Sequence, residues 1–414
     1  MPLDRLDPVL HDHVSALEAQ GTAKGAETVV REVRPPEGGR GPRFLLEGEG
    51  ERPFLRMNSN SYLGMALARE VVAAEEEGTR RFGAGPGAVR FISGTYQPHV
   101  ELERRLAEFH GREAAMVFSS AYASVVSALV PLASDTTVVI SDELNHNCII
   151  NGIKMARPAD KTIYPHNDVG GLERQLQAAR GRARRALVVT DGVFSMRGDH
   201  APLADIVALA QRYDADFPEN VVVVVDDSHG VGALGAAGRG TEEATGARAD
   251  VLVATLGKAL GVNGGYLASS AAVVRFLRET APMYIYSNPI TPGEAQAARA
   301  ALDLLDSPRG RELVAHLRQL TRRFEAGLVE LGYEVLPGDH PVVPLMVRDT
   351  ARTRELVRHL RAQGILATGL AYPVVPRGDE EIRFQVCADH TTGDVDEVLA
   401  ALAAWPARAE VTAR

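Results

Sequence analysis

The chain has 414 residues, 45% hydrophobic and 24% charged, and a formal net charge of −9; this is an ordinary globular composition whose acidic balance argues against a nucleic-acid binder. Two cysteines, Cys148 and Cys387, lie far apart and offer neither a disulfide framework nor a metal-ligand spacing. No stretch approaches the roughly 18 consecutive apolar residues of a membrane helix, and the start lacks a secretory apolar core, so a cytoplasmic, reduced setting without membrane or metal is expected.

Residues 1–55 read as an N-terminal arm: an amphipathic helix carrying Val9, Val14 and Leu17, then the Pro- and Gly-rich run RPPEGGRGP. From residue 56 to 290 helices and strands alternate. HVELERRLAEFHG puts Leu102, Leu106 and Phe109 on one helical face. AAMVFSS, TTVVISDE, ALVVTDG, NVVVVVDD and DVLVATLG read as strands, with NHNCIINGIKMA and PLADIVALAQRYDA as helices between them. Strands apolar on both faces and spaced by helices predict a parallel sheet covered on both sides. From residue 291 to 414 a long helical stretch is followed by strands in YEVLP, PVVPLMV and IRFQVCA and by two further helices, which predicts a smaller α+β domain.

In open α/β sheets, ligands bind beyond the carboxyl ends of the strands. The predicted strands end in Asp226, Asp227 and His229, in Asp191 and Ser195, and in Thr255 and Lys258. His146 follows VVISDELN, and Ser119 and Ser120 precede a helix whose backbone N–H groups suit a phosphate. Lys258 stands among glycines and apolar residues in ATLGKALGVNGGY. A P-loop is excluded, because Leu252 and Ala259 stand where Gly and Ser or Thr are required. What remains is a snorkelling lysine or a Schiff-base lysine. Burying even a neutral polar group without a partner costs about 2–7 kcal/mol. A cofactor with a ring nitrogen, a phenolic oxygen, a phosphate and an aldehyde would partner this whole set, and pyridoxal phosphate has those four features.

Seven stretches then occur in one order: VRFISGTYQPHVELERRLAEFHG, SDELNHNCIINGIK, TDGVFSMRGDHAPL, VDDSHGVGALGAAGRG, TLGKALGVNGGY, YSNPITP and YPVVPRGDEEIRFQVCADHT. Together they resemble the α-oxoamine synthase family of pyridoxal-phosphate enzymes, most of all its 2-amino-3-ketobutyrate CoA ligase (glycine C-acetyltransferase) branch. The resemblance runs from about residue 58 to 391. It implies an α/β chain of PLP fold-type I (aspartate aminotransferase-like), with a large domain around a mostly parallel central sheet and a smaller α+β C-terminal domain.

The same resemblance implies roles. Lys258 holds the cofactor aldehyde and moves the substrate proton; Asp226 pairs with the ring nitrogen; His229 and Ser195 bond the ring hydroxyl; His146 stacks on the ring. Thr255 and the backbone at Ala121 and Tyr122 hold the phosphate, with Ser287 and Asn288 reaching that of a partner subunit in a homodimer with shared sites. Asn60 and Arg383 receive the substrate carboxylate, Arg383 as a bidentate fork. His99, His390 and Arg90 also match and are read as structural. The implied reaction is condensation of glycine with acetyl-CoA, or its CoA-dependent reverse. The alternative is an α-oxoamine synthase of a biosynthetic pathway using another amino acid and another acyl-CoA or carrier-protein thioester. Aminotransferase, decarboxylase and non-catalytic readings are disfavoured by DDSHGVGALGAAGRG and by the retained Lys258, Asp226 and His229. Two departures stand out: Val125 where the family usually has Asn, and Arg197 where it typically has Asp.

Overall fold

The computed structural model describes residues 3–20, 22–372 and 374–407. Strands β1 (Val30–Arg34), β2 (Arg43–Leu46) and β3 (Pro53–Arg56) form an antiparallel meander near the N-terminus. Seven strands follow: β4 (Ala114–Phe118), β5 (Thr137–Asp142), β6 (Asp160–Tyr164), β7 (Arg185–Asp191), β8 (Val221–Asp226), β9 (Val251–Thr255) and β10 (Gly265–Ser269). They make one sheet in the order β4-β10-β9-β8-β7-β5-β6. Pairings β6–β5–β7–β8–β9 are parallel, and β10 runs antiparallel to both β9 and β4.

The valine run explains why this sheet is buried on both sides. Val221, Val223 and Val225 join one hydrophobic cluster and Val224 the cluster on the opposite face. Strand side chains alternate, so a continuous apolar run packs both layers of helices. The expected mostly parallel central sheet is therefore present. β10 was not separated from its neighbours in the sequence, because GYLAS adjoins the glycine-rich lysine loop.

The C-terminal part holds β11 (Glu334–Val335), β12 (Val342–Met346), β13 (Ile365–Leu366), β14 (Thr368–Leu370) and β15 (Glu381–Gln385). Four of these form a sheet in the order β11-β12-β15-β14, while β13 joins the N-terminal meander through β3. Residues from Val30 onward thus pack with the C-terminal part of the chain rather than standing apart. The helix Pro292–Leu305 packs on the helices Arg69–Phe82 and Gln97–Phe109 of the large sheet's layer. The helix Leu6–Ala19 buries no residue.

Three polar residues beneath these layers have structural partners. His99 accepts from Tyr96 N at 3.1 Å and bonds Ile290 O at 2.8 Å. His390 accepts from Cys387 N at 3.1 Å. Arg90 forks onto Glu103 at 2.9 and 3.1 Å.

Candidate active site

The carboxyl ends of β7, β8 and β9 converge. Asp191 and Asp226 are register partners on adjacent parallel strands, which sets two carboxylates side by side. Asp226 Oδ1 accepts from Ser228 N at 3.1 Å, and Oδ2 lies 3.5 Å from Cys148 Sγ. Asp191 Oδ2 accepts from His146 N at 2.9 Å. Burial and the Asp226 charge push the Asp191 carboxyl well above its ordinary value. The next residue, Asp227, has a different task. Its carboxylate accepts from Thr241 N (2.7 Å) and Thr241 Oγ1 (2.6 Å), and it anchors the glycine-rich turn of DDSHGVGALGAAGRG.

Lys258 follows β9 in a tight loop closed by Gly261 N donating to Lys258 O at 3.0 Å. Gly261 has φ +71°, and a Cβ there would lie 2.2 Å from Ala66 N, so only glycine permits this approach. Burial lowers the Lys258 pKa, against the pull of Asp226 and Asp191. An amine so placed is easier to hold neutral, which nucleophilic attack on an aldehyde requires.

Ser120 caps the helix Ala121–Leu132 by accepting from Ala123 N. The N–H groups of Ala121 and Tyr122 make no hydrogen bond among the described residues and open onto the same space. Gly265 brings β10 close beneath them: a Cβ there would sit 2.2 Å from Ala121 N. Val125 is buried in the hydrophobic cluster with Met116 and Phe118. The departure at that position therefore faces the core of the sheet layer, where an amide would lack a partner.

Eight residues expected at the site line one cavity of 70 Å³: Ala121, Tyr122, His146, Ser195, Asp226, His229, Thr255 and Lys258. Asp191, one of the strand-end residues read from the sequence, lines it too, as does Cys148, which the sequence did not place at the site. Thr255 Oγ1 donates to Gly264 O (3.1 Å) and accepts from Gly257 N (3.0 Å), so its proton is engaged within the lysine loop. His146 Nδ1 accepts from Cys148 N at 3.2 Å. Burial lowers the pKa of His146, and more strongly that of His229, so both rings are neutral near pH 7. Ser287 and Asn288 do not line this cavity; among the described residues Ser287 Oγ donates to Asn288 O, at 3.5 Å.

Two contacts were missed because they come from distant segments. The Tyr62 hydroxyl bridges His229 Nδ1 (2.7 Å) and Asn60 Oδ1 (3.3 Å). His340 bonds the carbonyl of His229 at 2.8 Å and stacks edge-on against Tyr62. Arg383 lies beside the cavity. Its Nη1 donates to Ser195 O at 3.0 Å, and Gln385 Oε1, with its amide oriented by this network, accepts from Nε (2.9 Å) and Nη2 (2.8 Å).

These groups fit pyridoxal phosphate. Uncommitted N–H groups at a helix N-terminus suit a phosphate dianion. A buried carboxylate suits a protonated ring nitrogen, and a lysine of lowered pKa suits the aldehyde. A second cavity of 450 Å³ shares Ser195 with the first; Phe194, Met196, Leu336, Met346 and Val375 line it together with the polar Glu143, Asn145, Asp379 and Glu381. Arg197 also lines it, with Nε 3.5 Å from Asp199 Oδ2.

Comparison with known proteins agrees. Residues 52–402 match the family described as aminotransferase class I and II. The 8-amino-7-oxononanoate synthase of Geobacter sulfurreducens is 41% identical over 91% of this chain and 94% of its own. That of Citrifermentans bemidjiense is 40% identical over 90% and 93%. Serine palmitoyltransferase of Sphingomonas wittichii superposes with a TM-score of 0.87 at 28% identity over 99% of this chain and 98% of its own. An SPT carrying PLP superposes with the same score at 26% identity over 99% of both chains. The special likeness to glycine C-acetyltransferase expected from the motifs does not show among these relatives. With Lys258, Asp226 and the open helix N-terminus in one cavity, the chain belongs to the class I and II aminotransferase family and, within it, to the pyridoxal-phosphate-dependent α-oxoamine synthases, which are acyltransferases.

Proposed function

We propose that this protein condenses a small amino acid with an acyl thioester longer than acetyl, as an α-oxoamine synthase of a biosynthetic pathway. The observation that carries this reading is the 450 Å³ cavity that shares Ser195 as a lining residue with the cofactor cavity. An acetyl group leaves such a space empty, whereas a longer chain contributes about 0.8 kcal/mol for each methylene it buries. The relatives' name points the same way. In 8-amino-7-oxononanoate, carbons 8 and 9 with the amine are what alanine leaves on losing its carboxylate. Carbons 1–7 are a seven-carbon acyl group ending in a carboxylate. Glycine with acetyl-CoA, expected from the motifs, is the less favoured pairing.

The cofactor, when bound, supplies an electron sink for charge at the amino-acid Cα. The residues do the rest in this reading. Arg383 and Asn60 hold the amino-acid carboxylate. Lys258 Nζ, kept easier to deprotonate by burial, takes the Cα proton. Asp226 accepts from the ring N–H, and Asp191 stands beside it, its Oδ2 accepting from His146 N. Neutral His146 and His229 pack against and hydrogen-bond the ring without adding charge. Ala121 and Tyr122 N–H receive the phosphate.

A second copy of the chain completes the site in this reading. Phe91 and Ile92 (both 67% exposed) and Tyr286 (80% exposed) present apolar surface, and Tyr286 directly precedes Ser287 and Asn288. Covering them in a homodimer would bury that surface and carry both residues to a neighbouring phosphate.

The test is thiol release from acyl-CoAs of two to ten carbons, with glycine, alanine and serine as acceptors. kcat/KM is expected to rise with chain length to an optimum above four carbons. Fastest turnover with acetyl-CoA would overturn the assignment. Sedimentation of the holoenzyme as a monomer would overturn the shared site.

A further inference from the structure

Three polar side chains stand on one face of β15. Glu381, Arg383 and Gln385 alternate with Ile382 and Phe384, which lie in the hydrophobic core. Successive strand residues point to opposite sides, so the polar three share the side that carries Arg383 to Ser195. Glu381 is the next position along that side, roughly 7 Å from Arg383 at the usual strand rise. It lines the 450 Å³ cavity.

Glu381 is 3% exposed, and its buried Oε1 has no hydrogen-bond partner. The neighbouring Glu380 is just as buried, but its carboxylate accepts from Thr350 Oγ1 (3.0 Å) and Gly378 N (2.9 Å). One acid therefore ties down the turn before β15, while the other lines the cavity and keeps one buried oxygen unpartnered. Buried polar atoms are almost always satisfied, and one that is not destabilises the fold. Such groups persist where function uses them. The apolar part of the wall (Phe194, Met196, Leu336, Met346, Val375) suits the methylenes of an acyl chain, and Glu381 stands with Glu143, Asn145, Arg197 and Asp379 in its polar part, where it is set apart by its unpartnered buried oxygen.

We propose that Glu381 determines acyl specificity: its side chain hydrogen-bonds an oxygen at the end of the acyl chain, so that this cavity takes an ω-carboxyacyl thioester in preference to a methyl-terminated one. This rests on the reading of the cavity as the acyl pocket. Burial pushes the Glu381 carboxyl up to about 8; Arg383 and Arg197 oppose the rise and Asp379 adds to it. The paired strands face it with Met346 and Leu370, which carry no charge. Near pH 7 the group is mostly protonated and donates O–H. Its partner is then an acceptor oxygen; Arg197 on the same cavity favours one that carries negative charge, against the opposing charges of Glu143 and Asp379, which line it too. A terminal carboxylate satisfies both.

The holoenzyme tests this with alanine as acceptor and two thioesters, seven-carbon ω-carboxyacyl-CoA and heptanoyl-CoA, followed by thiol release. Wild type is expected to favour the carboxylated thioester at least tenfold in kcat/KM. Glu381→Leu should erase that ratio, mainly through KM. Glu381→Gln keeps an N–H donor and should retain most of it. The wild-type ratio should fall between pH 7 and 9 as the carboxyl ionises, and the Gln variant's should not. The Leu variant removes an unpaired buried acid, so its Tm should hold or rise; should it fail to fold, the pH profiles of wild type and Gln decide alone. Equal ratios in wild type and Leu, or a wild-type ratio flat from pH 7 to 9, would overturn the role of Glu381 while leaving the acyl reading intact. No thiol release from any acyl-CoA, with amino acids still perturbing the cofactor absorbance, would sink the acyl reading and this role with it.

Discussion

Replacing Tyr62 by Phe isolates one hydroxyl at the heart of the site. Tyr62 is fully buried, and its hydroxyl is the contact between His229 Nδ1 and Asn60 Oδ1. Phe keeps the ring, and with it the edge-on packing against His340 at 5.1 Å, so the loss is confined to the polar atom. His229 is buried and held neutral, with its pKa well below the ordinary value, first by burial and then by the Lys258 charge. Its Nδ1 would be left without a partner, which costs about 1–3 kcal/mol. That loss can appear as stability, as transition-state stabilisation, or as both. As stability it lowers Tm by a few degrees, since about 1 kcal/mol moves a domain of 150–250 residues by roughly 2–4 °C. As lost orientation of the imidazole it lowers kcat about 5- to 150-fold, at about 1.4 kcal/mol per factor of ten. Thermal unfolding of the holoenzyme and turnover with saturating substrates read the two separately. Unchanged Tm and kcat together would refute the reasoning, because a buried hydroxyl bonding two site residues cannot be without effect on both. A lower Tm with an unchanged kcat would confine Tyr62 to structure.

His166 bridges Asp142 (3.1 Å) and Asp199 (2.9 Å), and against the lowering effect of burial these carboxylates raise its pKa to about 9. A raised pKa contributes stability that is complete below the unfolded value near 6.5 and is lost as pH rises through 9. After discounting for solvent screening it amounts to about 1–2 kcal/mol, and His166→Gln should flatten the unfolding free energy between pH 6.5 and 9 in urea titrations. Glu103 lies buried between Arg90 and Arg278 (2.8 Å) and accepts from Val117 N (3.0 Å). Glu103→Gln strands those cations and should cost about 3–5 kcal/mol in the same assay; a cost under about 1 kcal/mol would show that water reaches them. Val125→Asn places an amide in the apolar cluster under the sheet and should lose about 1–3 kcal/mol with no gain in cofactor affinity; tighter cofactor binding would show that this position does reach the phosphate.

Much of the site was legible because it is made of strand ends. A run such as Val221–Val225 needs two apolar layers, so its polar terminus, Asp226, must lie where those layers stop. The same holds for β7 and β9, and parallel pairing then brings Asp191, Asp226 and Lys258 to one edge from local sequence alone. The lysine loop was legible for a related reason, since Gly261 marks a backbone approach that no side chain permits. Tyr62 and His340 gave no such signal. Each reaches His229 from more than a hundred positions away, and Tyr62, in a turn outside any helix or strand, reads like an ordinary core tyrosine.

The acyl pocket stands at the other extreme. Its walls come from residues 143–145, 194–197, 336, 346, 374–376, 379 and 381, and their spacing in sequence carries no periodicity to read. Motifs report the chemistry that every member of a family shares, here the lysine, the aspartate and the phosphate cup. They are silent on a cavity whose size depends on how the C-terminal sheet docks against the loop after β7. This is why the motifs led to acetyl-CoA while the proposed function, drawn from the second cavity, takes a longer chain. The departure at Arg197 belongs to the pocket and not to the shared chemistry: its guanidinium lines the acyl cavity together with Glu381. Charge carried on a substrate's far end can be selected there without disturbing Lys258 or Asp226. Under the proposed function, selection on the acyl group and preservation of the cofactor site would act on separate surfaces that share Ser195.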